Sequence, residues 1–122
     1  MIENITINGV HMTVDEDLTK YVMKKIANLD KYMSKHVRES VHAEVWLKES
    51  KAKDKRKLTC EAKMTLPKDV LITSETTLNI YAAVDIVEAK LKNQILKYKD
   101  LHSPSKIRHS LNLLRKKRGA EI

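Results

Sequence analysis

Apolar residues recur at helical spacing between Thr77 and Leu101, a stretch with no Gly or Pro to interrupt a helix. The apolar stripe consists of Ile80, Val84, Val87, Leu91, Ile95 and Tyr98. Lysines follow both flanks of this stripe, with Lys90 and Lys97 on one flank and Lys92 and Lys99 on the other. The pattern predicts a long amphipathic helix that buries one face and lines both edges with ammonium groups.

A second helical pattern begins at Thr13 and runs to about Met33. Thr13 and Glu16 have the spacing of a capping box, in which the two side chains satisfy backbone N–H groups of the first turn. The stripe that we expect to be buried is formed by Leu18, Val22, Ile26, Leu29 and Met33. Three lysines fall together on the opposite face at about 100° per residue, namely Lys20, Lys24 and Lys31. The second helix therefore also presents a row of cations.

Four segments alternate apolar and polar residues as half-buried strands do. They cover residues 2–8, 41–48, 58–66 and 70–73. The segment Ser34–Ser40 predicts a polar connection, and the charged run Glu49–Lys57 predicts a turn or loop.

This element order, β-α-β-β-β-α, predicts an α+β fold with two layers, in which both helices pack on one face of a four-stranded sheet. Without the first strand, the order is also that of a double-stranded-RNA-binding domain, so the fold is dsRBD-like.

The chain of 122 residues is long enough for one domain with a single core. After Leu101 the run His102-Ser103-Pro104-Ser105 has the composition of a linker, and residues 102–122 carry six basic residues against one acidic residue. We expect residues 1–101 to form the folded domain and residues 102–122 to form a flexible basic tail.

The formal net charge of +8 favours a polyanionic partner, with nucleic acid first and an anionic membrane surface second. The sequence has no signal peptide and no run of about 18 apolar residues, so we expect a soluble cytoplasmic protein without a membrane span. A single cysteine, Cys60, excludes an intrachain disulfide.

The sequence lacks the usual marks of an active site. The five histidines are scattered, and Gly9 and Gly119 stand alone, so neither a zinc site nor a glycine-rich phosphate loop is indicated. Asp85 and Glu88 are interpreted as surface carboxylates of the long helix, with Glu88 placed to pair with Lys92 four residues later. We expect no enzyme activity, no cofactor, no metal and no small-molecule substrate.

The long helix resembles the signature of the ribosome hibernation-promoting factors, also called ribosome-associated inhibitor A or sigma-54 modulation proteins. The residues that carry the resemblance are Tyr81-Ala82-Ala83-Val84-Asp85, Lys90-Leu91, Gln94 and Lys97-Tyr98-Lys99-Asp100. Supporting positions are Asn4-Ile5-Thr6 in the first strand and Lys24, Leu29 and Tyr32 in the first helix. The resemblance covers about residues 2–101, and it implies the same β-α-β-β-β-α fold.

The resemblance also implies a function and a partner. Members of that family bind the small ribosomal subunit between its head and body, where they occupy the messenger RNA channel and the transfer RNA A and P sites and so inhibit translation. Lys24, Lys25, Lys90, Lys97 and Lys99 match positions that would face 16S ribosomal RNA. Together with the other helix-edge lysines, the candidate RNA-binding residues are Lys20, Lys24, Lys25, Lys31, Lys90, Lys92, Lys97 and Lys99.

Two departures from the family pattern are visible. Asn93 stands where many members have Arg, and the tail is basic where some short members have an acidic one. Long members pair ribosomes through a C-terminal domain that this sequence lacks, so a homodimer through such a domain is an expectation for a longer form only.

Two alternative functions stay open. The α-β-β-β-α order is compatible with a module that reads free double-stranded RNA by its shape. A protein-interaction regulator of transcription is the other alternative, in which Trp46, on the sheet face away from the helices, anchors a partner or a second copy.

Overall fold

The computed structural model of the chain describes Ile2, residues 4–52 and residues 55–101. Its strands are β1 (Asn4–Val10), β2 (His42–Ala52), β3 (Lys55–Leu66) and β4 (Asp69–Thr77). Its helices are α1 (Glu16–Ala27), α2 (Lys35–Ser40) and α3 (Ile80–Leu101), and a 3-10 turn over Asn28–Tyr32 continues α1.

The four strands form one mixed sheet in the order β1-β2-β3-β4. β1 and β2 are parallel because α1 lies between them in the chain and returns it to the same end of the sheet, with Ile7 opposite Val45. β3 pairs antiparallel with both of its neighbours, so that Ala62 lies between Val45 and Thr73. The predicted α+β two-layer fold with a four-stranded sheet is confirmed.

The core lies between one face of the sheet and the two long helices. α1 packs against β1, and α3 packs against β3 and β4. The apolar stripe predicted for α3 is buried along its whole length, and Leu91 is 0% exposed. It meets the inward residues of the strands, among them Leu47 and Met64. Both long helices therefore lie on one face of the sheet, as predicted, and their outer sides face solvent.

The hairpin of β2 and β3 is longer than the sequence pattern predicted. Glu49–Lys57 was expected to form a turn or loop, but pairing continues through Lys51 opposite Arg56 to Ala52 opposite Lys55. Backbone hydrogen bonds hold such an extension without a buried face, and Arg56 Nε lies 2.7 Å from Glu49 Oε1 across the two strands. For residues 49–52 and 55–57 the expectation of a loop was wrong, because periodicity detects burial and not strand pairing. Residues 53 and 54 lie outside the described residues.

Two further elements differ from the sequence prediction. The polar connection Ser34–Ser40 contains the short helix α2, where Ser34 Oγ accepts a hydrogen bond from the Val37 N–H at 3.4 Å. β4 continues to Thr77, so α3 begins at Ile80, where Asn79 Oδ1 accepts from the Tyr81 N–H at 2.9 Å. Ser and Asn are favoured at such caps because their side chains satisfy orphan donors of the first turn.

The N-terminus of α1 is capped by Asp15 and not by the predicted Thr13. Asp15 Oδ1 accepts a hydrogen bond from the Leu18 N–H at 2.8 Å, and the Asp15 backbone is extended, as an N-cap requires. The predicted capping box was wrong by two residues. An aspartate at this position also places negative charge at the positive end of the helix dipole.

This cap can be tested by a pair of alanine variants. We expect Asp15→Ala to lower the free energy of unfolding by about 1 kcal/mol, because it leaves the Leu18 N–H without its partner. The matched variant Thr13→Ala should change it by less than about 0.5 kcal/mol. Urea titration followed by circular dichroism measures both. A larger loss of unfolding free energy in Thr13→Ala than in Asp15→Ala would mean that Thr13 caps the helix.

The remaining predictions concern the chain ends and membranes. The flexible tail predicted for residues 102–122 lies outside the described residues and stays a prediction. In the part of the chain that the structure describes, no helix is long and apolar enough to cross a membrane.

Candidate nucleic-acid interface

A groove of about 610 Å³ runs between α1, its 3-10 extension and α3 on the outer side of the helix layer. We call it the interhelical groove. Four of the eight predicted lysines line it, namely Lys24, Lys25, Lys31 and Lys92. The sheet produces this convergence because it holds α1 and α3 side by side, so that one edge of each helix faces the other.

Residues further along α1 contact residues further along α3. Tyr21 on α1 meets Asp85 and Tyr81 near the start of α3, while Tyr32, eleven residues further on, meets Lys92. α1 and α3 therefore run the same way along the groove. The two ends of the groove differ in charge.

The first end is held by a hydrogen bond and a ring contact between the helices. The Tyr21 hydroxyl donates to Asp85 Oδ1 at 2.5 Å. The Tyr21 ring meets the Tyr81 ring edge-to-face, with 4.9 Å between centroids. The hydrogen bond to Asp85, with burial second, raises the pKa of Tyr21 above its ordinary value, because ionisation would place two anions together. This end is therefore a fixed link between α1 and α3.

Lys25 belongs to the same end and is matched by two carboxylates. Its Nζ lies 3.4 Å from Asp85 Oδ1 and 3.9 Å from Glu88 Oε1. The carboxylates of Glu88 and Asp85 raise the pKa of Lys25. The predicted pairing of Glu88 with Lys92 is wrong, since Glu88 turns toward α1 instead. The positive charge of Lys25 is thus compensated within the protein.

The second end of the groove is cationic. Lys31 and Lys92 each place Nζ 5.2 Å from the centroid of the Tyr32 ring, within the range of a cation–π contact. Among the described residues, no carboxylate forms an ion pair with Lys24, Lys31 or Lys92. Lys24 lines the same groove from α1. We call Lys24, Lys31 and Lys92 the lysine cluster. One tyrosine thus holds two ammonium groups near each other while they keep their charge for an outside anion.

The other four predicted lysines divide between several surfaces. Lys99 continues the cationic side, because it lines a neighbouring pocket of about 350 Å³ that Tyr32 also lines. Lys97 lies on the opposite flank of α3, beside Ile72 of β4. Lys20 lies at the exposed side of α1 and pairs with Glu16 at 3.1 Å. The eight candidates therefore do not form one patch.

Lys90 is held against the edge of the sheet. Its Nζ lies 2.9 Å from Glu75 Oε2 and donates to the Ser74 carbonyl at 3.1 Å. One turn later, Gln94 also binds a carbonyl group of β4: its Nε2 donates to the Ile72 carbonyl at 3.2 Å. These two side chains of α3 cover carbonyl groups of the edge strand β4, which would otherwise be open to pairing with another strand.

Sequence reasoning missed the contacts between helices. It identified Lys31, Tyr32 and Lys92 separately, but nothing in one sequence says that residues about sixty positions apart share a ring. One sequence signal could have indicated these contacts, namely a tyrosine and several lysines spaced along the exposed edges of two amphipathic helices. The geometry suits phosphate groups, because lysine acts as a point charge and needs no fixed base-edge geometry.

Comparison with known proteins places this geometry in a family. The family model described as Sigma 54 modulation protein / S30EA ribosomal protein matches residues 5–102. The ribosome hibernation promotion factor of Lactococcus lactis is 36% identical over 97 residues, which are 76% of this chain and 48% of that protein. The ribosome hibernation promoting factor of Pseudomonas putida is 27% identical over 96 residues, covering 79% and 86% of the two chains. The chain thus spans about half the length of the lactococcal relative.

Solved structures of related proteins have the same fold as this chain. The Protein Y N-terminal domain of Thermus thermophilus superposes with a TM-score of 0.67 at 27% identity, covering 79% of this chain and 99% of that domain. A ribosomal subunit interface protein from Coxiella burnetii superposes with a TM-score of 0.65 at 21% identity, covering 80% and 98%, and it shows the fold alone. The resemblance carried by the long-helix motif is confirmed, and the chain belongs to the Sigma 54 modulation protein / S30EA ribosomal protein family.

Proposed function

We propose that this chain is a ribosome hibernation factor that binds the small ribosomal subunit and inhibits translation by occlusion. Family membership and the names of its relatives support a ribosome hibernation role and describe a ribosome-binding factor. The observation that carries the proposal is the lysine cluster, Lys24, Lys31 and Lys92, in the interhelical groove of a family member. A surface of this kind fits the phosphate backbone of 16S ribosomal RNA.

The proposed binding energy is mainly electrostatic. Each lysine that neutralises a phosphate releases condensed counterions, so the affinity falls steeply as the salt concentration rises. Lys99 extends the cluster along the same side of α3, and Lys20, Lys90 and Lys97 would contribute at its margins. Lys25 would not contribute, because Asp85 and Glu88 neutralise it within the protein. The buried face of α3 keeps the two helices in place, so little ordering is needed when the protein docks.

Occlusion follows from the position that we propose on the ribosome. A rigid two-layer domain seated between head and body of the small subunit would fill the messenger RNA channel and the transfer RNA A and P sites. No reaction step is required, so the proposal includes no enzyme activity, cofactor or small-molecule substrate, and it places the protein in the cytoplasm. Residues 1–101 would act as the binding domain, and dimerisation through a C-terminal domain is proposed for a longer form only.

A competition experiment tests occlusion. Purified small subunits are incubated with labelled messenger RNA and initiator transfer RNA, and the protein is added in increasing amounts. We expect both labels to be released as the protein binds, because the three ligands compete for the same space. Simultaneous binding of the protein and transfer RNA, with neither affinity changed, would contradict the proposed position.

The two alternative functions stay predictions with distinct outcomes. A reader of free duplex RNA would bind naked duplex as tightly as it binds subunits. A transcription regulator would use the open face of the sheet, where Trp46 is half-buried and Ile72 is 59% exposed. Retention of a partner protein from a lysate depleted of ribosomes would favour the second alternative.

A further inference from the structure

We propose that Asp85 and Glu88 determine the specificity of the interhelical groove, by holding Lys25 inside the protein and giving the groove one acidic end. This inference rests on the proposed function, because it concerns how RNA enters the same groove. The carboxylates are not a ligand site. Their role is to restrict phosphate binding to the lysine cluster, so that the protein discriminates between its docking site and other RNA.

The geometry gives Lys25 a different status from its neighbours. Lys25 lies within 4 Å of both carboxylates, at 3.4 and 3.9 Å, whereas the lysine cluster has no such partners among the described residues. The three side chains are partly shielded from water, with exposures of 33% for Lys25, 49% for Asp85 and 28% for Glu88. An ion pair of this kind is screened less than one in open solvent.

Asp85 is also held in place by contacts that leave its charge intact. Asp85 accepts the Tyr21 hydrogen bond, and Tyr21 packs against Tyr81 on the same helix as Asp85. The raised pKa of Lys25, caused by Glu88 and Asp85, agrees with a stable pairing. A phosphate that approached Lys25 would have to displace or face two negative charges, of which the Asp85 charge is held in place by Tyr21.

An acidic end beside a basic cluster can discriminate between RNA partners. Like charges brought together across an interface are costly, and such repulsion suppresses wrong partners more than it weakens the right one. A flexible RNA strand can lie along the groove in many registers, and any register that places a phosphate beside Asp85 and Glu88 is disfavoured by repulsion. A shaped site on the small subunit can present phosphates to the lysine cluster alone.

The test compares wild-type protein with the double variant Asp85→Asn/Glu88→Gln, which is close in shape and keeps an acceptor for Tyr21. Binding to purified small subunits and to polyuridylic acid is measured over a range of salt concentrations. We expect the variant to bind polyuridylic acid more tightly and to lose discrimination in favour of the subunit. The slope of log affinity against log salt for polyuridylic acid, a single strand, should steepen by about 0.7. A fourfold fall in salt concentration should therefore raise the affinity of the variant about 2.6-fold more than that of the wild-type protein.

The control variant removes two paired carboxylates of β2 and β3 that lie outside the interhelical groove. Glu49→Gln/Glu61→Gln releases Arg56 and Lys48 there, and raises the net charge by the same amount. We expect it to leave the slope and the discrimination ratio near their wild-type values. If the control loses discrimination as much as Asp85→Asn/Glu88→Gln does, net charge explains the effect and the inference fails.

A further variant tests the inference even if the double variant does not fold. Lys25→Gln in the wild-type protein should leave the salt slope unchanged, because Lys25 is already neutralised from within. In the Asp85→Asn/Glu88→Gln background, the same change should reduce the slope for polyuridylic acid by about 0.7. A reduction of that size in the wild-type background would show that Lys25 contacts phosphate and would overturn the inference. If the wild-type protein fails to bind subunits, the proposed function fails instead.

Discussion

Replacing Lys24, Lys31 and Lys92 together with alanine is expected to reduce the salt slope of small-subunit binding by about 2.7, since each lost phosphate contact removes about 0.9. Between 50 and 200 mM salt, this means that the wild-type affinity falls about 40-fold further than the affinity of the variant. Sedimentation of subunits at several salt concentrations measures the slope. The fold should survive, because none of the three side chains belongs to the core.

A matched variant separates position from charge. Lys48, Lys57 and Lys63 lie on the sheet face away from the helices, so their replacement with alanine removes the same charge from the opposite side. We expect this variant to keep a slope close to that of the wild-type protein. Equal slopes for the two triple variants would mean that the whole molecule, and not the interhelical groove, attracts the RNA.

The second large effect is expected in the core. Leu91→Ala should lower the free energy of unfolding by about 2–5 kcal/mol, because it removes a fully buried side chain at the centre of α3 and leaves a cavity. A small domain has only about 5–15 kcal/mol of stability in total, so the midpoint of urea unfolding should shift strongly. Equilibrium urea titration measures the change.

Leu96 provides the control on the same helix. Its side chain is 39% exposed, so Leu96→Ala makes the same chemical change outside the core. We expect a loss of less than about 1 kcal/mol, since less apolar surface returns to water and the cavity is open to solvent. Similar losses in the two variants would contradict the assignment of the buried stripe.

Much of the fold could be predicted because burial leaves a local record in the sequence. The stripe from Ile80 to Tyr98 and the alternation in residues 58–66 fix which face of each element turns inward. Helix starts were less predictable, since Thr13 and Asp15 both suit an N-cap and only the geometry of the first turn selects Asp15. The charged extension of β2 and β3 has no apolar face, so it left no periodic signal.

The candidate site was predictable only in part. The lysine rows of α1 and α3 are visible in the sequence, and four of the eight lysines line one groove. The sequence does not show which lysines are neutralised by carboxylates from other elements. Lys25 faces Asp85 and Glu88, whereas Lys90 reaches Glu75 on β4. Which lysines keep their charge for a partner is therefore a property of the tertiary structure.

The central claim is that the interhelical groove, and not another face, meets the RNA. Acetylation of each lysine, quantified by mass spectrometry with and without bound small subunits, tests this most directly. We expect Lys24, Lys31 and Lys92 to be protected in the complex, while Lys48 and Lys63 on the opposite face stay reactive. Protection of Lys48 and Lys63 with full reactivity in the groove would contradict the account.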